Sequence, residues 1–338
     1  MSRETPKNRK WTRRELLTAS LGTGALIAGG VYAARRITPL GGRAEVFIAK
    51  AENYDMDLAA ILISGLLELG LNPDGVKGKR ILLKPNLAET DTGSIHICTH
   101  PRVVQGAAEA FHRLGAARVL VGEGTAHCRD VYRALDESGM TEILNQERLP
   151  FIDLNQDDVF TTPNLGRFTK LETFAFPVTL KKVDWVVSLA KLKTHHWAGL
   201  TLSMKNLFGV MPGIVYGWPK NVLHQASIIG SILDINKTLR PHLAIVDGIV
   251  GMEGDGPIMG DPKKVGVLVM GRNLPAVDAT CARIMGIEPG RVAYLRFASG
   301  RLGPIRPGNI EQRGEAIASV RTRFRLLEYI PAQRELMG

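Results

Sequence analysis

The sequence predicts an α/β domain built on a largely parallel sheet flanked by helices, and three observations carry that expectation. Short apolar runs bounded by turn residues alternate with helix-period segments, the order expected of strand–helix–strand units. Several runs are apolar throughout, as strands covered on both faces require. Polar residues gather directly after the runs, where open parallel sheets form their ligand crevices.

The N-terminal segment stands outside this pattern. Residues 1–14 hold Arg3, Lys7, Arg9, Lys10, Arg13 and Arg14 against one acid, and residues 16–34 are uncharged and diluted by glycine. Val31-Tyr32-Ala33 offers small residues for cleavage, so the layout is that of an export signal. Thr12-Arg13-Arg14-Glu15-Leu16-Leu17 marks the twin-arginine route, with Thr18 where a Lys is usual. The expected destination is periplasmic or otherwise extracytoplasmic, with the twin-arginine machinery as a partner. Cleavage is expected, and retention as a membrane anchor is the alternative.

Charge follows from that segment. The chain has 43 basic and 33 acidic residues, net +10, and residues 1–36 hold eight of the basic and two of the acidic ones. The remainder is close to balanced, so no nucleic-acid partner is expected. Cys98, Cys128 and Cys281 are scattered and odd in number. They leave room for one disulfide but not a disulfide framework, their spacing argues against an iron–sulfur cluster within the chain, and none has a neighbour that marks it as reactive.

Strands are expected at 46–48, 81–84, 119–121, 151–154, 183–189, 243–246 and 265–270, and helices at 55–70, 102–114, 130–147, 222–239 and 275–286. Gly70 and Gly115 read as helix stops and Pro101 as a helix start. The domain is expected over residues 40–300, with 301–338 as a C-terminal extension. The Gly/Pro-rich stretch 209–220 reads as a long loop or small subdomain.

Candidate site residues come from the strand ends. Lys84-Pro85-Asn86, Gly122-Glu123-Gly124, Lys191-Leu192-Lys193-Thr194-His195 and Asp247-Gly248 end four different runs. Lys84, Lys191, Lys193 and Lys205 suit a phosphate or carboxylate, with Asn86, Asn206 and Glu123 fixing orientation. His195, Lys193 and Asp247 form the expected catalytic set, with His195 as the acid/base candidate and Asp247 or Glu253 as its carboxylate partner. The glycine-dense segment 247–260, including Gly254 and Gly256, reads as a functional loop. Its acids Asp247, Glu253 and Asp255 are candidate ligands for a divalent metal. Phosphate-loop, dinucleotide, serine-hydrolase and zinc-peptidase signatures are all absent from the sequence.

Lys84-Pro85-Asn86, Thr99-His100-Pro101, Lys193-Thr194-His195, Met204-Lys205-Asn206-Leu207-Phe208-Gly209, Asp247-Gly248 with Gly254-Asp255-Gly256-Pro257, and Ala276-Val277-Asp278-Ala279 resemble the domain-of-unknown-function family 362. The resemblance runs from about residue 45 to 290 and implies an α/β domain with a shared site that also involves Asp278. Relatives joined to iron–sulfur modules imply redox or cofactor contexts. Two functions are open: an enzyme-like domain acting on an anionic small molecule, or a non-catalytic cofactor-binding protein serving a redox partner.

Overall fold

The computed structural model describes residues 42–337 except 89, 91, 92 and 127–129. The twin-arginine segment with Arg13 and Arg14, and Cys128, lie outside the described residues. Eleven strands are present among them: β1 (Ala44–Lys50), β2 (Arg80–Lys84), β3 (Arg118–Glu123), β4 (Phe151–Asp153), β5 (Val159–Pro163), β6 (Thr173–Pro177), β7 (Trp185–His195), β8 (Gly199–Thr201), β9 (Leu243–Glu253), β10 (Asp261–Gly271) and β11 (Ile310–Gly314). The longer helices are α1 (Leu58–Glu68), α2 (Pro101–Arg113), α3 (Val131–Glu137), α4 (Met140–Gln146), α5 (Asn221–Leu239) and α6 (Leu274–Ile284).

Nine strands form one sheet in the order β11-β1-β10-β9-β7-β2-β3-β4, with β8 paired to β7. The run β9-β7-β2-β3-β4 is parallel throughout. β10 is antiparallel to both its neighbours, and β11 is parallel to β1. β5 and β6 form a separate antiparallel hairpin. From β2 the chain steps outward through β3 and β4, then returns to place β7 on the other side of β2 and continues to β9. The strand order therefore reverses between β2 and β7, where doubly wound sheets open a crevice at their carboxyl ends.

The sheet is covered on both faces. α1 and α2 bury Leu62, Leu66, Val104 and Phe111 against Ile81, Leu83, Val187 and Ile245. α5 and α6 bury Ile232, Leu233, Val277 and Cys281 against Leu82, Val186, Val246 and Val269. Neighbours on one strand, such as Ile81 and Leu82, thus face opposite layers, as the two-residue period of a strand demands. Helix ends follow local chemistry. Asp57 accepts from the Ala60 amide at 2.9 Å to start α1, and Gly70 at φ 71° ends it. Pro101 opens α2 and Gly115, at φ 89°, closes it.

Four expectations are corrected. The helix expected over 130–147 is two, α3 and α4, separated at Gly139, whose φ of 72° does not continue a helix. The strand expected to end at Leu189 runs on to His195, so Lys191, Lys193 and His195 lie within β7 rather than in a following loop. The stretch 209–220 is not a separate lobe. Its Val210, Met211 and Tyr216 join the core of the α5/α6 side, and the Tyr216 hydroxyl accepts from the Ala175 amide at 2.8 Å. The C-terminal segment is integral to the domain: β11 extends the sheet, Phe324 and Leu336 enter the core, and Gln333 donates to the Gly254 carbonyl at 2.7 Å. No helix of the described residues is long and apolar enough to cross a membrane.

Candidate functional site

At the end of β2 the Lys84 ammonium donates to Glu123 at 2.8 Å and to the Asn206 side-chain carbonyl at 2.9 Å. All three residues are buried. Glu123 is held in turn by the amides of Leu87 (3.1 Å) and Gly124 (2.8 Å). Asn206 donates to the Lys84 carbonyl and the Ser188 hydroxyl, both at 3.0 Å, tying β2, β7 and the short helix Ser203–Asn206 together. Burial pulls the Lys84 ammonium below the ordinary lysine pKa, and the adjacent Glu123 carboxylate opposes it. Gly209 packs on this pair so closely that a Cβ there would fall on Glu123 Oε1 and Lys84 Nζ. Asn86 donates to Asn206 at 3.2 Å, while its own Oδ1 is buried with no hydrogen-bond partner.

Asp278 places the helix that carries Lys205 and Asn206. It accepts from the Ser203 amide (2.8 Å), the Ser203 hydroxyl (2.5 Å), the Met204 amide (3.1 Å) and the Tyr294 hydroxyl (3.3 Å). Burial raises its carboxyl to about 7 against those bonds. Asp278 therefore acts as a clamp between α6 and the helix Ser203–Asn206.

A second buried pair joins β7 to β9. Lys191 donates to Asp247 at 2.8 Å, to the Tyr54 hydroxyl at 3.0 Å and to the Ile95 carbonyl at 2.8 Å. Asp247 also accepts from the Tyr54 hydroxyl and from the amides of His100 and Ile249. The His100 ring stacks on Tyr54 with centroids 3.7 Å apart, and burial lowers its pKa to about 4. With every bond accounted for, this cluster holds two strands and two loops together and leaves Asp247 no free lone pair for a ligand.

Three further lysines lack an ion-pair partner among the described residues. Lys193, fully buried, donates only to the carbonyls of Ile97 (2.7 Å) and Pro257 (3.0 Å), and burial lowers its pKa to about 8. Lys205, half-buried, lies over the Phe208 ring at 4.4 Å with no hydrogen bond from its ammonium. Burial, then the charges of Lys84 and Lys193, bring it to about 7. Lys220, buried, donates to the Asn155 side-chain carbonyl and to the Met211 carbonyl, and burial brings it to about 7. These groups sense one another: Lys84 acts on Lys193, Lys205 and Lys220 alike. Five lysines thus meet the carboxylates of Glu123, Asp247 and the half-buried Asp153, with Asp130 acting on Asp153.

His195 has a different role from the one expected. Its Nδ1 accepts from the amides of Trp197 (3.0 Å) and Ala198 (3.3 Å), which puts the proton of the neutral ring on Nε2. Burial, Lys205, His196 and Lys193 all push its pKa well down. Among the described residues no carboxylate partners it: Asp247 is committed to Lys191 and Glu253 to Lys263 at 3.1 Å and to the Arg325 amide. The ring is therefore a fixed hydrogen-bond donor rather than a general base.

The structure gathers Lys84, Asn86, Glu123, Lys193, His195, Lys205 and Asn206, and sets the Lys191–Asp247 pair beside them. It does not gather the three acids proposed for a metal. Asp247 and Glu253 sit six residues apart on one strand, about 20 Å at the rise of extended chain. Among the described residues no three His, Cys, Asp or Glu side chains form a metal-holding group. Gly254 and Gly256 serve the backbone: Gly254 adopts φ 78°, and a Cβ on Gly256 would fall on the Thr194 carbonyl. Cys98 and Cys281 are free and buried, with thiols pushed up by burial, so neither is a ready nucleophile. Lys220, Asn155, Ser203 and Tyr54 escaped the sequence reading. Each is an isolated polar residue whose role exists only through a partner far away in the chain.

The fold and site define a doubly wound α/β domain whose strand ends gather buried, mutually repelling lysines. Residues 81–283 match the family model described as "Domain of unknown function (DUF362)", and the chain belongs to that family. It is 29% identical over 262 residues to the thylakoid-associated protein sll1697 of Synechocystis sp., covering 76% of this chain and 79% of that one. A crystal structure of a Thermotoga maritima protein aligns with a TM-score of 0.37 at 14% identity over 70% of this chain, and the chain spans 60% of its length.

Proposed function

We propose that the domain binds an anionic small molecule, a phosphate or carboxylate, at the crevice between β2 and β7, in the manner of an enzyme. The observation that carries this reading is the pair of unengaged donors, the Lys205 ammonium and His195 Nε2, beside the carboxylate-free Lys193. Holding such cations together without a counter-ion costs free energy, and an anion offsets that cost. Lys193 and His195 orient the anion. Lys205, titrating near neutrality, replaces His195 as the group that exchanges a proton with it. Asp247 positions Lys191 and takes no part in chemistry.

Calorimetric titration of the full chain with sulfate, phosphate and acetate tests this. Binding is expected for the multiply charged anions. Loss of one charge-assisted bond in Lys205→Ala is expected to weaken it about 10- to 100-fold. Unaltered affinity in that variant, or no binding by any anion, contradicts the reading. We also propose that the domain works outside the cytoplasm. The segment Thr12-Arg13-Arg14-Glu15-Leu16-Leu17 supports this, and the name of the Synechocystis relative is compatible with a location near a membrane.

A further inference from the structure

Beside the lysine crevice lies a run of rings that the anion alone does not explain. β7 turns into β8 through residues 196–198, and Trp197 in that turn keeps 50% of its surface exposed. Its backbone amide is pinned to the His195 ring at 3.0 Å. His196 meets Trp197 edge to face at 4.7 Å, and His224 of α5 does so at 5.2 Å. His224 in turn lies 5.4 Å from Phe208, the ring beneath the Lys205 ammonium. A chain of edge-on and tilted ring contacts thus leads from a half-exposed tryptophan to the group proposed to hold the anion.

Leaving a tryptophan half in water forgoes a large burial gain. The turn carrying Trp197 is fixed by the Nδ1 of the same imidazole whose Nε2 is proposed to meet the anion, so ring and donor keep a constant spacing. Stacking surfaces next to a cation select a ligand that is flat at one end and charged at the other.

We propose that the ligand is an aromatic or conjugated ring bearing a phosphate or carboxylate, with its charged end at Lys193, Lys205 and His195 and its ring against Trp197. This rests on the anion reading above and narrows it to a substrate class. The alternative occupant, a small aliphatic anion, leaves Trp197 without a function.

Phenyl phosphate and methyl phosphate, titrated into the full chain by calorimetry and by tryptophan fluorescence, separate the two. Phenyl phosphate is expected to bind roughly three- to tenfold tighter, the range of one aromatic pair, and to change the fluorescence. Trp197→Ala is expected to bring the two esters to equal affinity. Trp197→Phe, which keeps a ring, is expected to retain the preference and guards against a folding defect. Equal affinities in the parent chain overturn the aromatic proposal and leave the anion reading standing. Failure of both esters to bind sinks the anion reading and this inference with it.

Discussion

Lys205 sits at about 7 because burial strips water from its ammonium and Lys84 and Lys193 repel it. In the unfolded chain the same group titrates near about 10.4. Between those values the unfolded state holds more protons, so the stability of the empty domain rises with pH over that window. Lys220, also at about 7, and Lys193, at about 8, act in the same direction. A bound anion favours the charged forms, so its affinity runs the other way. Sulfate stays a dianion over this range; its affinity is expected to fall as pH climbs from 7 to 9, with proton uptake on binding. Calorimetry in buffers of different ionisation enthalpy measures both. Glu123→Gln leaves Lys84 buried without its counter-charge and is expected to cost about 3–5 kcal/mol in urea unfolding. Lys84, Lys193 and His195 were legible in the sequence because each ends an apolar run. Their partners were not: that Glu123 belongs to Lys84, and Asp247 to Lys191 rather than to His195, depends on which strands lie side by side.

At the scale of elements, β7 carries the site. Its Lys-Leu-Lys-Thr-His sequence looks like the polar end of a strand, yet Leu192 enters the core on one side while Lys191 and Lys193 point their stems to the other. Backbone carbonyls of Ile95, Ile97 and Pro257 receive the two ammonium groups, so polar residues here are strand interior. Periodicity registers side-chain type and cannot register a carbonyl brought from another loop. The same holds for β5, β6, β8 and β11, which are short or half-exposed and gave no apolar run. The helical turn after Asn206 is the other critical element. Gly209→Ala would drive a methyl group into the Lys84–Glu123 pair, and a loss of about 1–3 kcal/mol with weakened sulfate binding is expected. Thermal melting with and without sulfate reads both effects. Unaltered melting would show that the turn yields readily.

For the whole molecule, the fold class and the two covering layers were readable from alternation alone. The order of strands was not, because contacts such as Arg80 with Asp184 or Arg313 with Glu45 span 104 and 268 residues. That order creates the reversal between β2 and β7 and so decides which strand ends converge. It also turns residues 301–337 from an appendage into an edge strand and core. Truncation after residue 300 is expected to yield insoluble protein, since β1 and the Phe324 and Leu336 contacts would be laid bare. Replacing Arg13 and Arg14 together with Lys is expected to retain the chain in the cytoplasmic fraction. Unchanged export in that double variant would remove the twin-arginine reading.

The crowd of lysines has a consequence for the lifetime of the protein in its compartment. A domain that repels itself when empty opens more often, and each opening exposes it to proteases. An anion present at 100 times its dissociation constant adds about 2.7 kcal/mol to folding stability. Occupied molecules would thus outlast vacant ones. The surviving quantity of the protein would track how much of its ligand the surroundings supply.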